Sequence, residues 1–140
     1  MSELSIISND FKDGGEIPKE CGYKHGNEQP HIDFLNKYNS TGPWAMIMDD
    51  PDAMKVVGKV WVHWLQYGNT DDSVTEGKND FGEIGYGGPA PPDGQHTYIF
   101  KLYELDKDLD LKEGFSKQEL EDVMKGHIIA EAKLTGTFAP

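Results

Sequence analysis

Three short segments carry side chains able to do chemistry. The first is Asp50-Pro51-Asp52-Ala53, directly after the apolar run Trp44–Met48. Two acidic residues two apart share one side of an extended chain, and the end of a buried strand holds such groups in place. The same four residues also read as a plain Asp-Pro turn with solvated carboxylates. The second segment is Trp61-Val62-His63-Trp64. Period-two geometry puts Trp61 and His63 on one face, Val62 and Trp64 on the other. A histidine in so apolar a strand needs a hydrogen-bond partner, and is either a satisfied core residue or a ligand group. The third runs from Gly85-Tyr86-Gly87-Gly88-Pro89-Ala90 to His96-Thr97-Tyr98. Its glycines allow backbone N–H groups to approach a ligand and its prolines stiffen the loop. His96 and Tyr98 share a face of the following strand, above Phe100 and Leu102. A Gly/Pro-rich turn is the bland alternative.

Imidazole N–H, phenol O–H and backbone N–H groups are all hydrogen-bond donors. An Asp against a His fixes its tautomer and favours its charged form. Asp50, His63 and His96 also imitate a two-His, one-carboxylate metal site, but a hydrogen-bonded pocket accounts for the same groups. No Gly-x-Ser-x-Gly nucleophile turn is present, and Cys21 has no evident activating neighbour. The expectation is a protein without catalytic residues, metal or cofactor.

The elements that must position these groups are mostly strands. Sixteen Gly and eight Pro favour short strands and turns over long helices. Strands are expected at Leu4–Ile7, Trp44–Met48, Val60–Tyr67, Thr97–Leu105 and Ile128–Phe138, with a shorter one near Ile32–Leu35 in the weak stretch 19–43. The stretch 68–80 reads as a polar loop. One helix is clear: Ser116-Lys117-Gln118-Glu119 has capping-box form, Leu120, Val123 and Met124 recur at helical spacing, and Gly126 stops it.

The chain has 140 residues, which predicts one domain over 1–140. With 13 basic and 25 acidic side chains the formal net charge is −12, and every basic residue is Lys. Nucleic acid, which requires clustered positive charge, is therefore not an expected partner. Without Arg, no bidentate clamp on an anion is available. No run reaches the length of a membrane span, and Met1–Asp10 lacks the basic and apolar parts of a signal peptide. One cysteine excludes an internal disulfide. A cytoplasmic protein is the simplest expectation.

The ordered set of motifs resembles the phosphatidylethanolamine-binding protein family, in its short bacterial and archaeal branch. The carrying residues are Asp50-Pro51-Asp52-Ala53, His63-Trp64, and Gly85-Tyr86-Gly87-Gly88-Pro89 through His96-Thr97-Tyr98. Flanking agreement comes from Ile7–Pro18 and Gly126–Ala132. The resemblance implies a mainly β fold, with a large antiparallel sheet packed on a smaller one, Greek-key connections and one or two peripheral helices. It implies a non-catalytic binding protein with a small anion pocket for phosphate, phosphoethanolamine or a phospholipid head group. Asp50, His63, His96 and Tyr98 would line this pocket, with Gly88, Pro89 and Ala90 at its rim, Trp61 beside it, and Asp52 structural. The alternative is a protein-interaction regulator, such as a serine-protease or kinase-pathway inhibitor, using the surface around 68–80. Three positions depart from the family pattern. Met54 replaces a usual Pro, Thr97 replaces the Arg that commonly pairs with Asp52, and Ala90 replaces a frequent Cys. If both histidines must charge to hold an anion, affinity should rise between pH 8 and 6.

Overall fold

The structure is a computed structural model and describes residues 4–36 and 42–140. Residues 1–3, in the stretch read for a signal peptide, and residues 37–41 of the weak stretch lie outside the described residues. Eight strands are present among the described residues: β1 Leu4–Ile7, β2 Gly15–Glu16, β3 Asp33–Asn36, β4 Trp44–Asp50, β5 Trp61–Gly68, β6 Val74–Glu76, β7 His96–Leu105 and β8 Ile128–Phe138. Two helices accompany them, the single turn α1 Met54–Val57 and α2 Lys117–Met124. No helix among the described residues is long and apolar enough to cross a membrane.

Six strands form one sheet in the order β2-β8-β7-β4-β5-β6, and β1 pairs with β3 in a second. Strands β4, β5 and β6 are successive antiparallel neighbours, and β7 returns to lie beside β4. That spatial order is a Greek key. One detail differs from the expected all-antiparallel sheet. The edge strand β2 pairs parallel to β8, Gly15 opposite Gly136 and Glu16 opposite Thr137, so the large sheet is mixed. Sequence reading also missed β6. Its residues Val74-Thr75-Glu76 are too few and too exposed to stand out, and they are ordered by pairing with Gln66–Gly68.

Alternation along the strands builds a core on each side of the large sheet. One face carries Met46, Met48, Trp64, Tyr98, Phe100, Leu102 and Leu134, covered by Ile6, Phe34 and neighbours from the small sheet. Burying rings such as Trp64 and Phe100 stabilises by roughly 1.5–3 kcal/mol each. The other face carries Ala45, Ile47, Leu65 and Tyr67 beneath Leu109, Phe115, Leu120 and Met124. Helix α2 supplies the last two. Its capping box is complete: Glu119 N–H donates to Ser116 Oγ and Ser116 N–H to Glu119 Oε1, both at 3.0 Å. Val123, expected on the buried stripe, is instead 37% exposed.

On this second face, Asp49 is buried. Its Oδ2 accepts from Lys101 Nζ at 3.1 Å and from Lys117 Nζ at 3.2 Å, tying the start of α2 to the sheet.

Candidate functional site

The site forms where β4, β5 and β7 meet the loop 77–95. Its geometry depends on an irregularity in β5. Met48 pairs with Trp64 and Asp49 with Val62, so His63 is one residue too many for its neighbour. It is a β-bulge, which breaks the period-two alternation and re-aims side chains. Trp64 packs in the core of the first face, together with Tyr98, while Val62 belongs to the core of the second. The expectation that Val62 and Trp64 share a face is therefore corrected. The extra residue holds its place by two bonds to one partner. His63 Nδ1–H donates to the Gly87 carbonyl at 2.6 Å, and Gly87 N–H donates to the His63 carbonyl at 2.8 Å.

That contact also assigns the His63 ring. With Nδ1 donating, Nε2 carries the lone pair of a neutral imidazole. Burial pushes the pKa of His63 below its ordinary 6.5, outweighing the pull of the Gly87 carbonyl and Asp50. The ring stands edge-on to Tyr98 and Phe81, with centroids 5.2 and 5.6 Å away.

His96 is the opposite case. Its Nδ1 lies 2.6 Å from Asp50 Oδ2 and its Nε2 lies 2.6 Å from Asp93 Oδ1. A neutral imidazole has one N–H and would turn a lone pair on one of these carboxylates. Donation to both requires the imidazolium. Burial opposes this charge, but the hydrogen bonds and negative charges of Asp50 and Asp93 prevail and raise the pKa above 6.5. The bond from His96 in turn lowers the pKa of Asp93.

Asp50 ends β4 and is buried. Its Oδ1 accepts from Asp52 N–H at 2.9 Å, capping the turn Pro51–Ala53 that leads into α1. Met54, where a proline was expected from the family, sits in helical conformation with its side chain 52% exposed, and every described peptide bond is trans. Asp52 finds a substitute for the missing arginine: its Oδ2 accepts from the Thr97 backbone N–H at 2.9 Å.

These groups bound a cavity of about 150 Å³. Of the residues expected to line it, Asp50, Trp61, His63, Ala90 and His96 do so. Tyr98 is fully buried and absent from the wall. Its hydroxyl has no hydrogen-bond partner, and burial together with the charge of Asp50 raises its pKa. Trp61 Nε1 is likewise a buried donor without an acceptor. Gly88 and Pro89 do not form the rim. They face the 19–27 segment, Gly88 N–H donating to Asn27 Oδ1 at 2.7 Å and the Pro89 carbonyl accepting from Tyr23 N–H at 2.9 Å. A Cβ on Gly88 would lie 2.0 Å from the Cys21 carbonyl oxygen, so the glycine serves close backbone packing.

Sequence reasoning missed Val56, Val57, Phe81, Pro91 and Pro92, which give the cavity apolar walls. It also missed Asp93, although its place three residues before His96 in a Pro-Pro-Asp-Gly turn was a usable signal. Among the described residues, no group of His, Cys, Asp or Glu is arranged to hold a metal ion. Cys21 is buried, and burial followed by Asp10, Glu20 and Glu28 pushes its thiol up to about 11.

A Greek-key sheet backed by a smaller sheet frames this small cavity at its strand ends. The family model described as phosphatidylethanolamine-binding protein matches residues 7–139, and the chain belongs to that family. A UPF0098 protein of Methanothermobacter thermautotrophicus is 35% identical over 96% of this chain and 98% of its own length. One from Pyrococcus horikoshii is 40% identical over 94% of this chain and 75% of its own. Among solved structures, a phosphatidylethanolamine-binding protein homolog from Chlamydia trachomatis superposes with a TM-score of 0.89 at 33% identity, covering 99% and 98% of the two chains. Escherichia coli YbcL, described as a member of the mammalian family, gives 0.83 at 25% identity, covering 98% of each.

Proposed function

We propose that the protein is a non-catalytic binding protein whose cavity takes a small ligand with an oxyanion head group, of phosphate or phosphoethanolamine type. The observation that supports this reading is a buried donor without an acceptor, Trp61 Nε1, on a residue that lines the same cavity as His96. A buried polar group left unbonded costs about 1–3 kcal/mol, which a ligand oxygen recovers. His63 Nε2 asks for a donor instead, since the ring is neutral. A protonated phosphoryl oxygen or a hydroxyl answers it. The thiol of Cys21 is held protonated, and both nitrogens of His96 are engaged.

The pH expectation narrows accordingly. Burial disfavours the charged form of His63, so gain in affinity on acidification is expected chiefly from His96 and from the ligand's own proton.

Calorimetric titration of phosphate and phosphoethanolamine at fixed ionic strength tests the reading. Binding by the wild type that is lost in His96→Ala and weakened in Trp61→Phe is the expected result. Absence of binding by the wild type at pH 6 overturns it and transfers the function to a protein-interaction surface.

A further inference from the structure

The two carboxylates on His96 are equal in distance and unequal in everything else. Asp50 has a side chain only 4% exposed, at the end of β4, and its second oxygen caps the following turn. Asp93 is 52% exposed and sits on a loop. Removing Asp50 from His96 would dismantle a strand end. Removing Asp93 requires only that a half-hydrated side chain rotate into water.

The loop is built to present this side chain. Pro91 and Pro92 line the cavity and restrict the chain before Asp93. Gly94 follows with φ +148°, a conformation other residues rarely adopt, and a Cβ there would touch nothing within 4 Å. Glycine at 94 is therefore required by the backbone and not by space. Its conformation turns the chain so that Asp93 reaches the Nε2 of His96, three residues further on.

Charge decides what an incoming anion must do. Asp50 and Asp93 both lie on His96, Lys55 acts on Asp93, and burial disfavours charge on His63. An oxyanion added to this set would be a third negative group on one imidazolium. An oxyanion that replaces Asp93 leaves the balance at His96 as it was and gains the same charge-assisted bond.

We propose that Asp93 is an exchangeable internal anion: its carboxylate holds the His96 Nε2 position that the ligand's oxyanion takes, so binding is an exchange and Asp93 sets the affinity. This rests on the binding reading above and adds a residue that governs it. Asp93 acts as a built-in competitor, present at saturating local concentration and weakened only by its exposure. Weak anions fail to displace it. Those that bring a further contact, to Trp61 Nε1, succeed.

The test compares inorganic phosphate binding by wild type, Asp93→Asn and Asp93→Ala at fixed ionic strength, with circular dichroism to confirm the fold. Asp93→Ala should bind about fivefold more tightly than wild type, the scale of one exposed charged pair. Asp93→Asn, which keeps an accepting oxygen without the charge, should fall between them. In the wild type, the Asp93 carboxyl carbon signal should move on phosphate saturation as the side chain leaves His96. Equal or weaker binding by Asp93→Ala, or an Asp93 signal unmoved at saturation, overturns the exchange while the anion site stands. Phosphate binding by neither wild type nor Asp93→Ala overturns the exchange and the binding reading together.

Discussion

The backbone N–H of Thr97 and the carboxylate of Asp52 meet at 2.9 Å across 45 residues of chain. This bond ties the turn after β4 to the first residues of β7, and thereby holds Asp50 and His96 at a common depth. Asp52→Ala removes the acceptor and leaves the Thr97 amide unbonded. It should lower stability by about 1–3 kcal/mol in urea unfolding and weaken anion binding through the displaced Asp50–His96 pair. Asp52→Asn, which keeps an acceptor oxygen, should recover most of both.

The two site histidines give stability opposite pH dependences. For His63 the folded pKa lies below the unfolded 6.5, so the unfolded chain takes up more protons and stability falls as pH drops below about 6.5. For His96 the folded pKa lies above 6.5, so its stabilisation is complete below that value and is lost as pH rises through the folded pKa. Unfolding free energies between pH 5 and 9 should show loss on both sides. His63→Phe should flatten the acid limb and His96→Asn the alkaline one. A variant that leaves its limb unchanged contradicts the assignment of that ring.

Asp49 shares one oxygen between two lysines on the face away from the site. Either lysine alone still neutralises it, so Lys101→Met and Lys117→Met should each cost little. The double variant strands a buried carboxylate and should cost about 3–5 kcal/mol, far beyond the sum of the singles. Additive losses in a double-mutant cycle would show that the lysines act independently.

Gly88→Ala places a methyl 2.0 Å from the Cys21 carbonyl oxygen. Backbone must shift to admit it, at a cost near the upper end of the roughly 1–3 kcal/mol typical of overpacking. Thermal unfolding measures this directly, and a melting temperature like that of the wild type would refute the close approach.

Much of the fold was readable because the strands announce themselves. Trp44–Met48 is uninterrupted apolar sequence, His96–Leu105 alternates buried and half-buried residues, and Ser116–Glu119 is a complete capping box. The short strand β6 was not readable, since three residues in a polar stretch owe their order to a neighbour. At the site, Asp50, His63 and His96 were found by type and place. Two things were hidden. One was that Gly88 and Pro89 pack inward on the 19–27 segment, a tertiary contact without local signature. The other was the role of Asp93, signalled only by its place three residues before His96 in a Pro-Pro-Asp-Gly turn.

The extra residue in β5 has one more consequence. Trp61, His63 and Trp64 reach their neighbours because the strand is one residue longer than its partner over this stretch. Chain length there is thus a structural parameter as strict as any side chain. Shortening the segment 61–64 by a single residue would restore a regular ladder and move Trp64 out of its core or His63 off Gly87. Relatives that keep this cavity should vary freely in the identity of many residues around it, yet show neither insertion nor deletion within these four.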